Sequence, residues 1–167
     1  MSRLRTALEG VRMLALAVWL GGLVALGAIA APLVFHHVPA PFSADAMTLV
    51  FRRFDRFAVG SGVVILLCEG GLSWLQTRAS RTDLMRMAVV VAATLVASVE
   101  AVWLSPAISD LHAAGAVRGV GHTGMQLEWF HRWAERLAKG ELVLLVAMTF
   151  LIVVAGRASS DRVHSTG

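Results

Sequence analysis

Charge is what this sequence has least of. Only 16% of its 167 residues are Asp, Glu, Lys or Arg, against about a quarter in an ordinary soluble domain. So few hydrated side chains cannot cover a globular surface, and a water-soluble fold is not expected. Cysteine is almost missing too: Cys68 stands alone in an apolar run, which excludes an internal disulfide. Of the 15 basic residues only Lys139 is not arginine, and no basic face is interleaved with aromatic residues, so a nucleic-acid partner is not expected. The chain lacks the HxxxH, HExxH and CxxC spacings of metal sites. It also lacks a nucleophile–base arrangement, a phosphate loop and paired catalytic carboxylates. An enzyme is not the expected reading.

Apolar sequence fills the space that charge leaves. Hydrophobic residues make up 57% and the mean hydropathy is +0.70. Between Arg12 and His36 no side chain is charged. As a helix, residues 11–37 would reach roughly 35 Å, more than the ~30 Å of bilayer hydrocarbon. Ala17, Gly21, Ala25 and Ala28 follow a small-xxx-small spacing that lets two helix backbones approach closely. Arg3 and Arg5 before this run, and Ala28-Ile29-Ala30 within it, resemble parts of a signal peptide. The apolar region is longer than the 7–15 residues usual there, so it is read as a retained span.

The remaining chain repeats the theme. His36, His37, Pro39 and Pro41 break the first helix, and Ser43 is the expected N-cap of the next. Met47, Val50, Phe51, Phe54 and Phe57 recur at helical spacing and lead into a second span. Spans are expected at about 11–35, 57–76, 85–105 and 130–156, with residues 115–124 a glycine-rich loop and 157–167 a polar tail. The last helix is expected near Met125, carrying Glu128–Arg132 and Glu135–Lys139 pairs of favourable polarity. Trp129 and Trp133 suit a membrane interface. The fold expected is an all-α, four-helix transmembrane bundle.

A duplication runs through it. Arg12-Met13 precedes Pro32 as Arg86-Met87 precedes Pro106, and Phe54-Asp55-Arg56-Phe57-Ala58 is echoed by Phe130-His131-Arg132-Trp133-Ala134. This reads as one two-helix hairpin copied once. Basic residues, first read as topology signals and lipid-headgroup contacts, divide eight to seven. Arg3, Arg5, Arg12, Arg78, Arg81, Arg86, Arg157 and Arg162 lie on the side of the termini; Arg52, Arg53, Arg56, Arg118, Arg132, Arg136 and Lys139 lie opposite. The expected placement is a bacterial inner membrane with both termini cytoplasmic.

Trp19-Leu20-Gly21-Gly22, Ala31-Pro32-Leu33-Val34-Phe35, Pro106-Ala107-Ile108-Ser109-Asp110-Leu111 and Phe130-His131-Arg132 together resemble the landmarks of the transmembrane-protein-205-like domain of unknown function. The resemblance covers about residues 10–155. It implies four spans and no established chemistry. A Ser that follows the His in that pattern is missing from His131-Arg132-Trp133-Ala134.

Two sets of residues are candidates for chemistry. Glu69, Glu100 and Glu141 place one carboxylate in each of three spans, and an intramembrane carboxylate suggests a proton relay or cation ligand. Gly62, Glu69, Ser73 and Gln76 form one stripe, so Glu69 is expected to point into the bundle, beside Ala17, Gly21 and Ala25. Cys68 is expected to be the more lipid-facing neighbour. Glu100 and Glu141 are alternatively boundary residues paired with Arg136 or Lys139. His36, His37, His112, His122 and His131 fall on one side, where imidazoles could hold a transition metal or haem. The first reading is a small structural or accessory membrane protein without a cofactor. The second is a proton- or cation-handling module using Glu69, and the third a haem or metal redox protein. Expected partners are the lipid bilayer and a second copy through the small-residue face of the first helix.

Overall fold

Backbone amides have no water to bond in hydrocarbon, so the apolar runs must close their hydrogen bonds within helices. The computed structural model describes residues 2–76 and 80–164, and side chains of residues 3–76 and 80–156. The first rod comprises α1 (Ser2–Val24), a π-helical stretch (Ala25–Ala30) and α2 (Ala31–His37). The second rod is α3 (Phe42–Trp74). The third comprises α4 (Arg81–Val99), a second π-helical stretch (Glu100–Leu104) and α5 (Ser105–Ala113). The fourth is α6 (Gly121–His164). Among the described residues there is no strand, and each rod is long and apolar enough to cross a membrane. The chain is an all-helical, four-span membrane bundle.

The first rod packs chiefly on the second and the third chiefly on the fourth, while the second and third hold the two hairpins together. Matching deformations support the duplication. Pro32 follows the π-helical stretch of the first rod and Pro106 that of the third. Proline lacks the N–H for a bond to the preceding turn, and its ring crowds the carbonyl four residues back. A widened π turn moves that carbonyl aside and lets the helix continue.

Several helix ends differ from the expectation. The third rod starts at a capping box: Ser80 Oγ accepts the Asp83 amide, and the Asp83 carboxylate accepts the Ser80 N–H. It continues past Pro106 to Ala113 because the π turn absorbs the proline. Ser43 is not an N-cap. Pro41 holds that position and makes no side-chain cap bond, while Ser43 is buried inside the helix. The fourth rod begins at Gly121 rather than near Met125, and its helix runs into the expected tail as far as His164. Residues 165–167 lie outside the described residues.

The small-residue stripe faces the wrong way for the expected packing. Ala17, Gly21, Ala25 and Ala28 are all exposed. Arg12, Leu16 and Trp19 are the buried line of α1. At about 100° per residue the stripe falls on the opposite side of the helix. Gly22 makes the close approach instead, since a Cβ there would overlap the ring of Phe54. The core between the rods is Leu16, Trp19, Ala58, Ile65, Val90, Ala93, Ala97, Leu145 and Met148. A second cluster of Leu104, Ile108, Leu127 and Phe130 joins the third and fourth rods away from the termini.

Candidate functional site

Two buried polar layers interrupt this apolar core. The layer nearer the termini centres on Glu69, which points inward as its stripe indicated and is 1% exposed. It is not unpaired. Arg12 Nη1 donates to Glu69 Oε1 at 2.8 Å, and Arg86 Nε lies 3.2 Å from both carboxylate oxygens. Arg86 also donates to Asp83, so two guanidinium groups meet two carboxylates and the layer is neutral. The arginines are the matching Arg-Met positions of the two repeats. Cys68 is buried as well, which corrects its expected lipid-facing placement: α3 is flanked on both sides, so residues 100° apart both turn inward. Ala17, Gly21 and Ala25 do not line this layer.

The second layer takes polar side chains from every rod, two of them from the third. Trp19 Nε1 in α1 donates to Glu141 Oε1 in α6. The Glu100 carboxyl lies beside that of Glu141. Asp55 in α3 accepts from Ser105 Oγ in α5. Glu141 is 1% and Asp55 7% exposed. Among the described residues no Arg or Lys pairs with these three carboxyls. Arg136 lies over the Trp133 ring and Lys139 pairs with Glu135, so neither neutralises Glu100 or Glu141 as the boundary reading proposed. Glu100 Oε1 and Glu141 Oε2 are buried without a donor. The sequence reading chose Glu69, Glu100 and Glu141 together; the structure separates the first from the others and adds Asp55, Trp19 and Ser105.

The Glu69–Arg86 contact supplies a common origin for measuring depth. Asp55 lies 14 residues before Glu69, and Glu100 lies 14 after Arg86, so both stand roughly 21 Å from the first layer. Trp103 is 17 residues beyond Arg86, roughly 25 Å away. It clusters with Trp129 at 6.3 Å, which in turn meets Trp133 at 5.9 Å. These exposed rings form an interfacial belt. At the opposite end Trp74 is 92% exposed, about 7 Å beyond Glu69. The two tryptophan levels are thus separated by roughly 33 Å, close to the hydrocarbon thickness. Both polar layers lie between them.

The histidines lie at or beyond the belt without forming one centre. His36 and His37 meet edge to face and are exposed. The His112 ring is 5.7 Å from that of His131, and its Nδ1 is 3.2 Å from Thr48 Oγ1. His112 also lines a hollow of about 200 Å³ with Asp45, Thr48, Arg52 and Ser109. His122 is exposed. Among the described residues no three His, Cys, Asp or Glu side chains form a metal-holding group. Glu128 pairs with Arg118 and Arg132 as well as facing the solvent side, so the expected Glu128–Arg132 pair is present. Of the basic residues counted on the terminal side, Arg78 lies outside the described residues, as do the side chains of Arg157 and Arg162.

A family model, described as a domain of unknown function (DUF4149), matches residues 14–117. That stretch contains Trp19, Asp55, Glu69, Arg86, Glu100 and Ser105, but neither Arg12 nor Glu141. Nothing in the match connects the chain to the transmembrane-protein-205-like pattern. No curated protein matches, and no solved structure matches.

Proposed function

We propose that this chain, which belongs to the family defined by that domain of unknown function, is a proton-handling membrane protein. Its working site is the set of Asp55, Glu100 and Glu141. The observation that carries this reading is that the Glu100 and Glu141 carboxyls lie side by side in a layer with no Arg or Lys partner among the described residues. A shared proton holds the third and fourth rods together there, and its departure leaves like charges in contact. Trp19 and Ser105 each supply a single donor, which orients the carboxyls without neutralising them. Glu69 offers the contrast: two guanidinium groups fix its charge, so it suits a structural anchor rather than proton exchange. The accessory role expected from sequence fits that anchor, and the four-span pattern of the transmembrane-protein-205-like domain is compatible with both.

Proton flux into liposomes tests the reading. Purified protein is reconstituted with an internal pH-sensitive dye, and a potassium diffusion potential drives protons inward. Wild type should acidify the lumen faster than empty liposomes do, and E100Q/E141Q should return the rate to that baseline. Equal rates for wild type and E100Q/E141Q, or for wild type and empty liposomes, would overturn it.

A further inference from the structure

The outer face of the second rod carries charge that no protein group answers. Arg53 and Arg56 lie one turn apart on α3 and are exposed. Neither has a hydrogen-bond or ion-pair partner among the described residues, whereas Arg118 and Arg132 both pair with Glu128. With Phe57, 68% exposed, the two arginines line a surface hollow of about 420 Å³. Depth shows what the hollow faces. Arg53 is 16 residues before Glu69 and Trp103 is 17 after Arg86, so both stand roughly 24–25 Å from the shared ion pair. Arg56 and Phe57 sit about one turn deeper, toward the hydrocarbon.

We infer that Arg53, Arg56 and Phe57 form a headgroup site for an anionic phospholipid. The guanidinium groups match phosphate oxygens in charge and hydrogen-bonding geometry. At the tryptophan level they meet the phosphates of the adjoining leaflet, where basic side chains are drawn to anionic lipid. The Phe57 ring, one turn closer to the membrane centre, packs against the glycerol and upper acyl chain. Asp55 belongs to the same turn of α3 but is buried. One helical turn therefore presents an acid to the bundle interior and two bases to lipid.

The test uses the full chain in mild detergent. Phosphatidylglycerol or phosphatidylcholine with the same acyl chains is added, and bound lipid is counted by native mass spectrometry. Wild type should retain phosphatidylglycerol in preference. R53A/R56A should weaken its binding about thirtyfold, given the attraction of each basic side chain to anionic lipid. R3A/R5A, at the other end of the bundle, should not. If the double variant loses its helical circular-dichroism signal, R53A and R56A alone, each expected to cost about fivefold, serve instead. Equal retention of the two lipids by wild type would overturn the inference. So would undiminished phosphatidylglycerol binding in the arginine variants, or displacement of the lipid by soluble glycerol phosphate, which would mark a site for the free anion.

Discussion

Arg12 and Glu69 are 57 residues apart in sequence and meet at 2.8 Å inside the bundle. Their contact, completed by Arg86, ties the first three rods together at one level. Arg86 keeps Asp83 as a second partner, whereas Arg12 pairs with Glu69, so loss of that carboxylate leaves the Arg12 guanidinium buried without a counter-charge. Glu69→Leu should therefore destabilise the protein by about 3–5 kcal/mol, the range for removing one partner of a buried pair. That is the opposite of the tolerance expected for an unpaired carboxyl. Unfolding titrations in mixed micelles measure it. R12M/E69L, which removes both of those charges and leaves Arg86 paired with Asp83, should recover most of the loss. A stable E69L single variant would show that the arginines find other partners.

Trp19 and Glu141 pose a different question, because the indole N–H is the one donor seen on that carboxylate oxygen. Trp19→Phe keeps a ring in the core but removes the donor. It should cost about 1–3 kcal/mol for the group left unsatisfied, read as a lowered thermal midpoint. Trp19→Phe in an E141L background should cost less, since no carboxylate then remains to be satisfied. Equal losses in the two backgrounds would mean that packing alone is being measured.

Two glycines should respond in opposite directions to the same substitution. A Cβ at Gly62 would lie 2.9 Å from Thr94 Cγ2, and Thr94 is held by its bond to the Val90 carbonyl. Gly62→Ala should destabilise by about 1–3 kcal/mol through overpacking. Gly21 has nothing within 4 Å of the added carbon, and Gly21→Ala should stabilise by about 0.5–1 kcal/mol through backbone entropy. Thermal midpoints of the two variants in one detergent decide this. A cost at Gly21 would instead reveal a neighbour outside the chain, such as the second copy expected on that face.

At the start of the third rod, Ser80→Ala removes the side-chain half of the capping box. The expected cost is about 1 kcal/mol. Hydrogen exchange should report it as faster exchange of the Asp83 amide, with the amides around Ala93 unaffected. Uniformly faster exchange along the whole rod would show that the cap controls more than the first turn.

Sequence alone determined the number and class of the elements. A stretch such as 13–35 without charge has one stable form in a bilayer, a helix that closes its own hydrogen bonds. Periodicity also settled the direction of Glu69, since Gly62, Ser73 and Gln76 share its face. The duplicated Arg-Met and proline positions pointed to a repeat, but the π turns that carry each helix past its proline were not expected. The rotation of each rod about its axis was decided only by tertiary structure. It rests on partners such as Trp19 and Glu141, 122 residues apart, and on the need to give Arg12 a carboxylate. That rotation turned the small residues of the first helix outward and Arg12 inward. It also brought Glu100 beside Glu141 and separated both from Glu69, the third candidate carboxylate. Local spacing says which residues share a face, but which neighbour that face meets depends on how four rods satisfy their buried charges together.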